Sequence, residues 1–210
     1  MQFVFSSRAP FQGGGHFYVV RDTGSKRAMT FKETKLPGAF ILELERFEDE
    51  RGFFALSWSQ EVFAERGLES RFVECDISFN RRKATLRGMH FQAEPHGQAK
   101  LVRCTMGSVY DVIVDLRPGS PTFRQWATFE LSAQNRLLLY VPVGFAHGFL
   151  TLEDNTEVFY QMSQNYHPKS GRGARWNDPA FKIQWPMTGE LIINERDKSY
   201  PDFVPESPRA

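Results

Sequence analysis

The sequence predicts an all-β fold, a jelly-roll barrel with a few short helices, and three observations favour this class. Short apolar or alternating runs recur from residue 70 onward, and turn residues separate them. Aromatic residues make up 14% of the 210 positions, and aromatic side chains favour strands. Only the segment around residues 59–66 has a persuasive helical pattern. Together these features indicate a sandwich or barrel rather than a helical protein.

The individual elements follow in chain order. Residues 36–38 form a Leu-Pro-Gly turn signal that leads into an apolar strand over residues 39–42. Ser59 is the expected N-cap of the one clear helix. Six further strands are predicted over residues 72–79, 98–103, 108–116, 124–131, 137–141 and 157–162. Turn signals at residues 117–120 and 142–144 fit between them.

Length and composition indicate one domain and argue against several kinds of partner. The chain has 26 basic and 25 acidic residues, so its net charge of +1 provides no electrostatic reason to expect nucleic acid or a membrane surface as partner. It has no long uninterrupted apolar run of the kind that crosses a membrane or forms a signal peptide. Two cysteines are too few for a disulfide framework, which favours a cytoplasmic location.

Residues 1–28 differ in character from the rest of the chain. They contain a triple-glycine break at residues 13–15 and a basic cluster formed by Arg21, Lys26 and Arg27. We interpret residues 1–28 as an N-terminal extension or a misplaced start, with the main domain over residues 29–210. The alternative is an extra strand or arm of the same domain, because residues 17–20 are rich in strand-forming side chains.

The densest polar cluster lies at residues 87–92 and continues at residues 98–102. His90 alone would carry little information, since single histidines are often structural. In a strand, however, Gln98, Lys100 and Val102 point to one face, which directs Lys100 into the barrel near His90. A lysine inside a barrel is costly unless a partner or a developing negative charge uses it. The expected proximity of Lys100 and His90 therefore suggests a functional site rather than a structural role.

The second cluster, residues 142–149, contains the pattern Pro-x-Gly-x-x-His that ends at His147 and is the second motif of cupins. The first cupin motif supplies His-x-His and a Glu, whereas here His90 is followed by Phe91 and Gln92, and Lys100 is cationic. Divalent metals prefer histidine and carboxylate ligands. We therefore expect no metal, and a metal-dependent cupin oxygenase or isomerase remains the competing interpretation.

Taken together, the motifs resemble the dTDP-4-dehydrorhamnose 3,5-epimerase family. The matching segments, in the family's order, are residues 49–54, 87–92, 98–102, 111–117, 142–149, 176–179 and 195–197. The resemblance covers residues 29 to 197. It implies a cupin-like jelly roll, a homodimer without a cofactor, and a nucleoside-diphosphate-linked 4-keto-6-deoxyhexose as substrate.

The resemblance also implies roles for particular residues. The catalytic set is His90 as general base, Asp197 as its carboxylate partner, Tyr160 as general acid and Lys100 as the cation beside the C4 oxygen. Tyr166 matches a ring that stacks on the nucleotide base. Further positions expected to contact the substrate are Arg51, Phe54, Glu74, Asp76, Arg87, Gln98, His147 and Arg196. At position 196 this chain has arginine, whereas lysine is more usual in the family.

These residue types suit the implied reaction. A proton beside a ketone becomes acidic because the resulting carbanion delocalises onto oxygen, and a fixed ammonium such as Lys100 stabilises that enolate. A histidine can remove the proton and a tyrosine on the opposite face can return one, which inverts the carbon.

Some positions depart from the family pattern. Glu74, Cys75 and Asp76 replace the usual Gln-Asp-Asn, and Leu56 and Gly171 stand at two usually acidic positions. Added carboxylates near a diphosphate would repel it unless arginines compensate. Two alternatives therefore stay open: an epimerase that inverts only C3 or C5 of a different sugar nucleotide, and a non-catalytic sugar-nucleotide-binding jelly roll.

Overall fold

The computed structural model describes residues 17–21, 28–186 and 189–204, and the regular secondary structure in this part of the chain is mostly β-strand. The strands are β1 (Phe17–Arg21), β2 (Ala28–Glu33), β3 (Phe40–Leu44), β4 (Arg46–Asp49), β5 (Gly52–Ala55), β6 (Glu74–Asn80), β7 (Leu86–Gln92), β8 (Lys100–Met106), β9 (Ser108–Asp115), β10 (Trp126–Ser132), β11 (Leu138–Val141), β12 (Phe145–Thr151), β13 (Thr156–Met162) and β14 (Gly171–Gly173). Two short helices, α1 (Gln60–Ala64) and α2 (Glu195–Ser199), complete the described elements.

The strands form two large antiparallel sheets. The seven-stranded sheet has the order β1-β2-β3-β11-β8-β13-β6, and the five-stranded sheet has the order β10-β9-β12-β7-β14. Strands β4 and β5 pair with each other as a separate hairpin. Most neighbours within the sheets are distant in sequence, which is the connectivity of a jelly roll. The predicted all-β fold is therefore confirmed.

The main core lies between the two sheets. Val102 and Val158 from the seven-stranded sheet pack against Ile113 and Phe149 from the five-stranded sheet, and all four side chains are buried. Burial of apolar surface between two facing sheets is the principal stabilisation of this architecture. Because β-strand side chains alternate, every second residue of β7, β8 and β13 faces this interior, and their polar members define the site.

Two smaller apolar clusters cover the outer faces of the sheets. Helix α1 packs Val62 and Phe63 against Phe31 and Leu101 of the seven-stranded sheet. On the other side, Phe181 and neighbouring residues of the C-terminal segment cover the five-stranded sheet. The long tail after β14 therefore packs back onto the barrel, which brings α2 close to β7.

Most predicted elements occur close to their expected positions. The strands predicted over residues 72–79 and 98–103 begin at Glu74 and Lys100, two residues later than expected. Ser59 caps α1 as predicted, since its side chain accepts a hydrogen bond from the backbone N–H of Val62. Helix α2, the β4–β5 hairpin and strands β2, β7 and β14 were not predicted.

The N-terminal expectation is only partly within the described residues. Strand β1 pairs with β2 along its full length, at the edge of the seven-stranded sheet. Residues 1–16 and 22–27 lie outside the described residues. The interpretation of residues 1–28 as an extension or a misplaced start therefore stays a prediction.

None of the helices in the described part of the chain has the length and apolar character needed to span a bilayer.

Candidate active site

The centre of the site is a histidine–carboxylate pair at the mouth of the barrel. His90 lies on β7, and its Nε2 atom is 2.8 Å from Oδ1 of Asp197. The His90 side chain is 39% exposed, whereas that of Asp197 is 1% exposed. The imidazole can therefore meet a ligand while its carboxylate partner is shielded from water.

Helix α2 places Asp197 beneath His90. The Asn194 side chain caps this helix by accepting a hydrogen bond from the Asp197 backbone N–H at 2.7 Å. Oδ2 of Asp197 accepts a second bond from the Gly88 backbone N–H at 3.1 Å. Burial opposes ionisation of Asp197, but the hydrogen bonds from His90 and Gly88 keep its pKa below the usual value. The carboxylate is thus ionised and can only accept, so Nε2 of His90 carries the proton and Nδ1 is the basic atom.

A second histidine, His147, lies next to the first. It sits on β12 and pairs in register with His90 on β7. Its Nε2 is 2.9 Å from Oδ2 of Asp111, a fully buried residue on β9. Strands β7 and β12 approach so closely that a Cβ at Gly88 would lie 2.6 Å from the Cα of Gly148. Glycine is therefore required where the two histidine-bearing strands meet.

Lys100 faces these histidines from the other sheet, as its strand position predicted. Its Nζ donates to the backbone carbonyl of His90 at 3.4 Å, and the residue is only 8% exposed. Burial lowers the pKa of Lys100 to about 8, although the nearby Asp111 carboxylate raises it. Around neutral pH the side chain is therefore an ammonium whose remaining N–H groups can interact with a ligand.

Tyr160 lies on β13 of the seven-stranded sheet, in register with Val102 of the core. Its ring meets that of His147 edge-on, with the ring centroids 6.0 Å apart. Burial raises the pKa of the phenol above its ordinary value, and Asp111 adds to the effect. The phenol is consequently protonated at neutral pH. Because His90 belongs to the five-stranded sheet, a base and an acid lie on the two facing sheets.

Glu74, Tyr166 and Arg196 form the second part of the site. Oε2 of Glu74 accepts a hydrogen bond from the Tyr166 backbone N–H at 3.0 Å. The Tyr166 ring is 53% exposed, and Arg196 hydrogen-bonds to its side chain. Asp76 pairs in register with Tyr160, so Glu74 and Asp76 share the inner face of β6, as their alternation predicted.

Two other predicted binding residues have structural partners. Nε of Arg87 donates to Oδ1 of Asn80 at 2.7 Å, which fixes the guanidinium near Tyr160. Gln98 precedes β8, and its Nε2 donates to the backbone carbonyl of Gln164 at 2.6 Å.

The structure does not bring Arg51 and Phe54 to the catalytic residues. Both belong to the β4–β5 hairpin, whose ladder involves no other described strand. Arg51 forms an ion pair with Asp49 of the same hairpin, and its side chain is 84% exposed. Phe54 is 61% exposed. Both side chains are therefore accessible to a second molecule.

Asp111 is a site residue that the sequence-based prediction did not identify. It pairs with His147 and influences the pKa values of both Lys100 and Tyr160. A signal was present, because Asp111 interrupts the apolar and aromatic residues at positions 109–114 of β9. A buried carboxylate is costly without partners, so an acid in such a strand predicts a cationic neighbour.

Across residues 29–186 and 189–204, no group of three or more His, Cys, Asp or Glu side chains is arranged to hold a metal ion. The polar side chains of the cavity instead form two histidine–aspartate pairs, an ammonium and a phenol. These are acid–base and charge-stabilising groups. Such a set on a jelly roll defines an enzyme that moves protons at carbon, in the class of the epimerases.

Comparison with known proteins identifies the family. Residues 33–204 match the family model of dTDP-4-dehydrorhamnose 3,5-epimerase. The chain therefore belongs to the dTDP-4-dehydrorhamnose 3,5-epimerase family of isomerases. The enzyme of that name from Methanothermobacter thermautotrophicus is 45% identical over 172 residues, which cover 81% of this chain and 92% of the relative.

Solved structures agree with this assignment. The dTDP-4-dehydrorhamnose 3,5-epimerase of Bacillus anthracis, with TDP and pyrophosphate bound, superposes with a TM-score of 0.80 at 41% identity, over 84% of this chain and all (100%) of the other. The epimerase of Legionella pneumophila in complex with dTDP-4-keto-L-rhamnose gives a TM-score of 0.76 at 34% identity, covering 88% and 92% of the two chains.

Proposed function

We propose that this protein is a dTDP-4-dehydrorhamnose 3,5-epimerase, which inverts C3 and C5 of a dTDP-linked 4-keto-6-deoxyhexose without a metal or a cofactor. The observation that supports it most strongly is that His90, with its buried Asp197 partner, and the protonated Tyr160 lie on facing sheets on either side of His147. Inversion at carbon requires a base on one face and an acid on the other. Family membership supplies the substrate class.

The first step is removal of a proton from the carbon beside the ketone. His90 takes this proton on Nδ1, because Nε2 donates to Asp197. The resulting imidazolium is stabilised by the Asp197 carboxylate, which also fixes the ring orientation. The electron pair of the broken C–H bond moves into a C–C double bond, and the ketone oxygen becomes an enolate.

Lys100 stabilises the enolate. Its ammonium lies in a largely buried position beside the His90 backbone, where a charge interacts more strongly than in water. Asp111 compensates for part of the cost of burying this cation, since its carboxylate favours the charged form of Lys100. Charge stabilisation by an ammonium thus fills the role that a metal ion has in other cupins.

Tyr160 completes the inversion by donating its phenolic proton to the opposite face of the carbon. The elevated pKa of the phenol keeps it protonated until the enolate forms. The hydrogen bond from the side chain of Ser78 moderates the cost of the transient phenolate. Proton exchange with solvent then returns His90 and Tyr160 to their starting forms.

The nucleotide end of the ligand is assigned to the second part of the site. Tyr166 presents an exposed aromatic ring on which a base can stack, and Arg196 lies beside it. Arg87 provides a guanidinium near Tyr160 for the diphosphate. Glu74 and Asp76 line the same inner face and are expected to tune which sugar nucleotide is accepted.

A homodimer is the second part of the proposal. Ile77 and Phe79 point outward from the edge strand β6 and are 62% and 46% exposed. Met106, at the end of β8 in the same sheet, is 47% exposed. Exposed apolar side chains on the outer face of a sheet suit a two-fold interface. A partner would also explain why Arg51 and Phe54 stand on an exposed hairpin although the family pattern places them at the ligand.

Deuterium incorporation tests the activity directly. Incubation with dTDP-4-keto-6-deoxyglucose in heavy water is expected to label both C3 and C5, detected by NMR. Label at one carbon would identify a single-centre epimerase, and no label would support the non-catalytic alternative. Elemental analysis of the active protein is expected to find no stoichiometric metal; bound iron, zinc or manganese would contradict the metal-free mechanism.

Sedimentation velocity tests the dimer. The full chain is expected to sediment as a dimer, and Ile77→Glu combined with Phe79→Glu is expected to sediment as a monomer, because two buried charges would oppose association. A monomeric parent protein would contradict the proposed interface.

A cytoplasmic location, expected from the cysteine content, remains a prediction.

A further inference from the structure

The segment that carries the Tyr166 ring is held by side chains. Residues 164–167 lie between β13 and β14, so their backbone takes no part in the strand pairing of either sheet. Gln98 donates from its side chain to the backbone carbonyl of Gln164, and Glu74 accepts from the backbone N–H of Tyr166. The position of the ring therefore depends on which side chains reach this segment.

Gln92 makes the most extensive of these contacts. Its Nε2 donates to the backbone carbonyls of Asn165 at 3.2 Å and His96 at 3.0 Å, and its Oε1 accepts from the backbone N–H of His167 at 2.6 Å. The residue is only 7% exposed. Both amide hydrogens and the carbonyl oxygen are thus used, and two of the three bonds fix the residues on either side of Tyr166.

The C-terminal end of β7 also pairs with β14, the strand that lies next to the Tyr166 ring. Gln92 pairs in register with Gly171 on β14, and a Cβ at Gly171 would lie 3.4 Å from the Tyr166 hydroxyl oxygen. Gln92 lies two residues after His90 on β7, so both side chains face the same side of the strand. One strand therefore carries the proposed catalytic base and the anchor of the proposed nucleotide-stacking ring.

We propose that Gln92 is a positioning residue that holds the Tyr166 ring at a fixed distance from His90 and so preorganises the nucleotide-base site. The proposal rests on the proposed function, in which Tyr166 stacks on the base. A ring held in place before binding loses less conformational freedom when the ligand arrives, which increases affinity. Gln92 touches neither the sugar nor the proton-transfer groups, so the chemical steps should not depend on it.

The test is the substitution Gln92→Met, which keeps the side-chain length and removes all three hydrogen bonds. We expect calorimetry to show dTDP binding weakened about tenfold, with KM for the keto sugar raised by a similar factor and kcat within about twofold of the parent value. Pyrophosphate, which lacks the base, should bind as before. Gln184→Met is the matched control, because Gln184 is an exposed amide with a comparable bond to a backbone carbonyl.

A double-mutant cycle with Tyr166→Ala separates this proposal from the proposed function. Tyr166→Ala alone should weaken dTDP binding; if it does not, the base contact itself is wrong. In the Tyr166→Ala background Gln92→Met should have little further effect, because the two residues act through one contact. Additive effects, equal weakening of pyrophosphate binding, or a loss of kcat with unchanged KM would overturn the positioning role. Should Gln92→Met not fold, Gln92→Asn, a shorter amide that stays polar and reaches fewer of these partners, is expected to show the same pattern with a smaller change in affinity.

Discussion

At the scale of single residues, the two histidine–aspartate pairs differ in access to solvent. The His90 side chain is 39% exposed and that of His147 is 4% exposed, while both carboxylate partners are buried. A base that removes a substrate proton must reach the ligand. His90 therefore has the geometry of the base, and His147 with Asp111 contributes to the electrostatic environment of Lys100 and Tyr160.

The first prediction separates the base from the acid. His90→Ala should reduce exchange of substrate protons with solvent by about 10²-fold or more, because the abstracting group is absent. Tyr160→Phe should impair reprotonation more than abstraction, since His90 remains in place. Deuterium uptake and product formation, followed together by NMR, distinguish the two defects. Exchange at the parent rate in the His90 variant would show that another residue is the base.

The second prediction concerns the pH dependence of the reaction. The pKa of Lys100 is about 8, and the ammonium is the form that stabilises the enolate. Activity is therefore present below this pKa and is lost as pH rises through it. In Asp111→Asn the removal of a negative charge lowers the pKa of Lys100 further, so the alkaline decline of kcat/KM should move to lower pH.

A pH–rate profile of kcat/KM for both proteins provides the measurement. Asp154→Asn is a suitable control, because this exposed carboxylate lies on the turn between β12 and β13. If kcat/KM of Asp111→Asn declines at the same pH as in the parent protein, or at higher pH, the loss of activity at alkaline pH is not caused by deprotonation of Lys100.

At the scale of secondary-structure elements, β6 has two distinct faces. Its inner face carries Glu74 and Asp76 beside Tyr160, and its outer face carries the exposed Ile77 and Phe79. Because strand side chains alternate, one edge strand contributes to both the ligand cavity and the proposed dimer interface. Changes on the two faces should therefore have separable effects.

The third prediction uses the inner face of β6. Glu74→Gln with Asp76→Asn should strengthen dTDP binding by about 1 to 3 kcal/mol, because two negative charges near the diphosphate are removed. Glutamine retains an oxygen that can accept the Tyr166 backbone N–H, so the geometry of that contact is preserved. Calorimetric titration with dTDP supplies the comparison. Unchanged affinity together with unchanged turnover would leave these acids without a role in specificity.

At the scale of the whole molecule, the site is assembled from distant parts of the chain. Asp197 lies 107 positions after His90, and only the packing of the C-terminal segment on the five-stranded sheet brings them together. The backbone N–H of Gly88 on β7 donates a hydrogen bond to the same carboxylate. Loss of the C-terminal segment would consequently remove a catalytic partner as well as core contacts.

The fourth prediction concerns the N-terminus. A chain that begins at Met29 should retain most of its activity, because β2 also pairs with β3 and no site residue lies upstream. Thermal unfolding, sedimentation and turnover of the keto sugar check this. Since β1 pairs with β2 at the sheet edge, loss of folding or dimerisation in the shortened chain would show that residues 1–28 are an integral part of the domain.

Local patterns in the sequence located about half of the described strands and one of the two described helices. Alternation and turn residues located β9, β10, β11 and β13 to within two residues, and the Ser59 cap identified α1. The β4–β5 hairpin escaped prediction because its short strands are largely exposed and carry little alternation. Helix α2 is as short as α1, and its own capping residue, Asn194, was not identified in the sequence.

The sequence by itself determined the all-β class, the inward direction of Lys100 and, through the linked motifs, the family. These depend on strand alternation and residue order, which are local properties. The tertiary structure alone showed that Asp111 pairs with His147 and raises the pKa of Lys100. It also showed that the side chains of Glu74 and Gln92 form hydrogen bonds with the backbone of the Tyr166 segment. Arg51, in contrast, lies on an exposed hairpin and pairs with Asp49 rather than with a catalytic residue. Those relations join residues far apart in the chain, and no local pattern encodes which strands become neighbours when two sheets pack face to face.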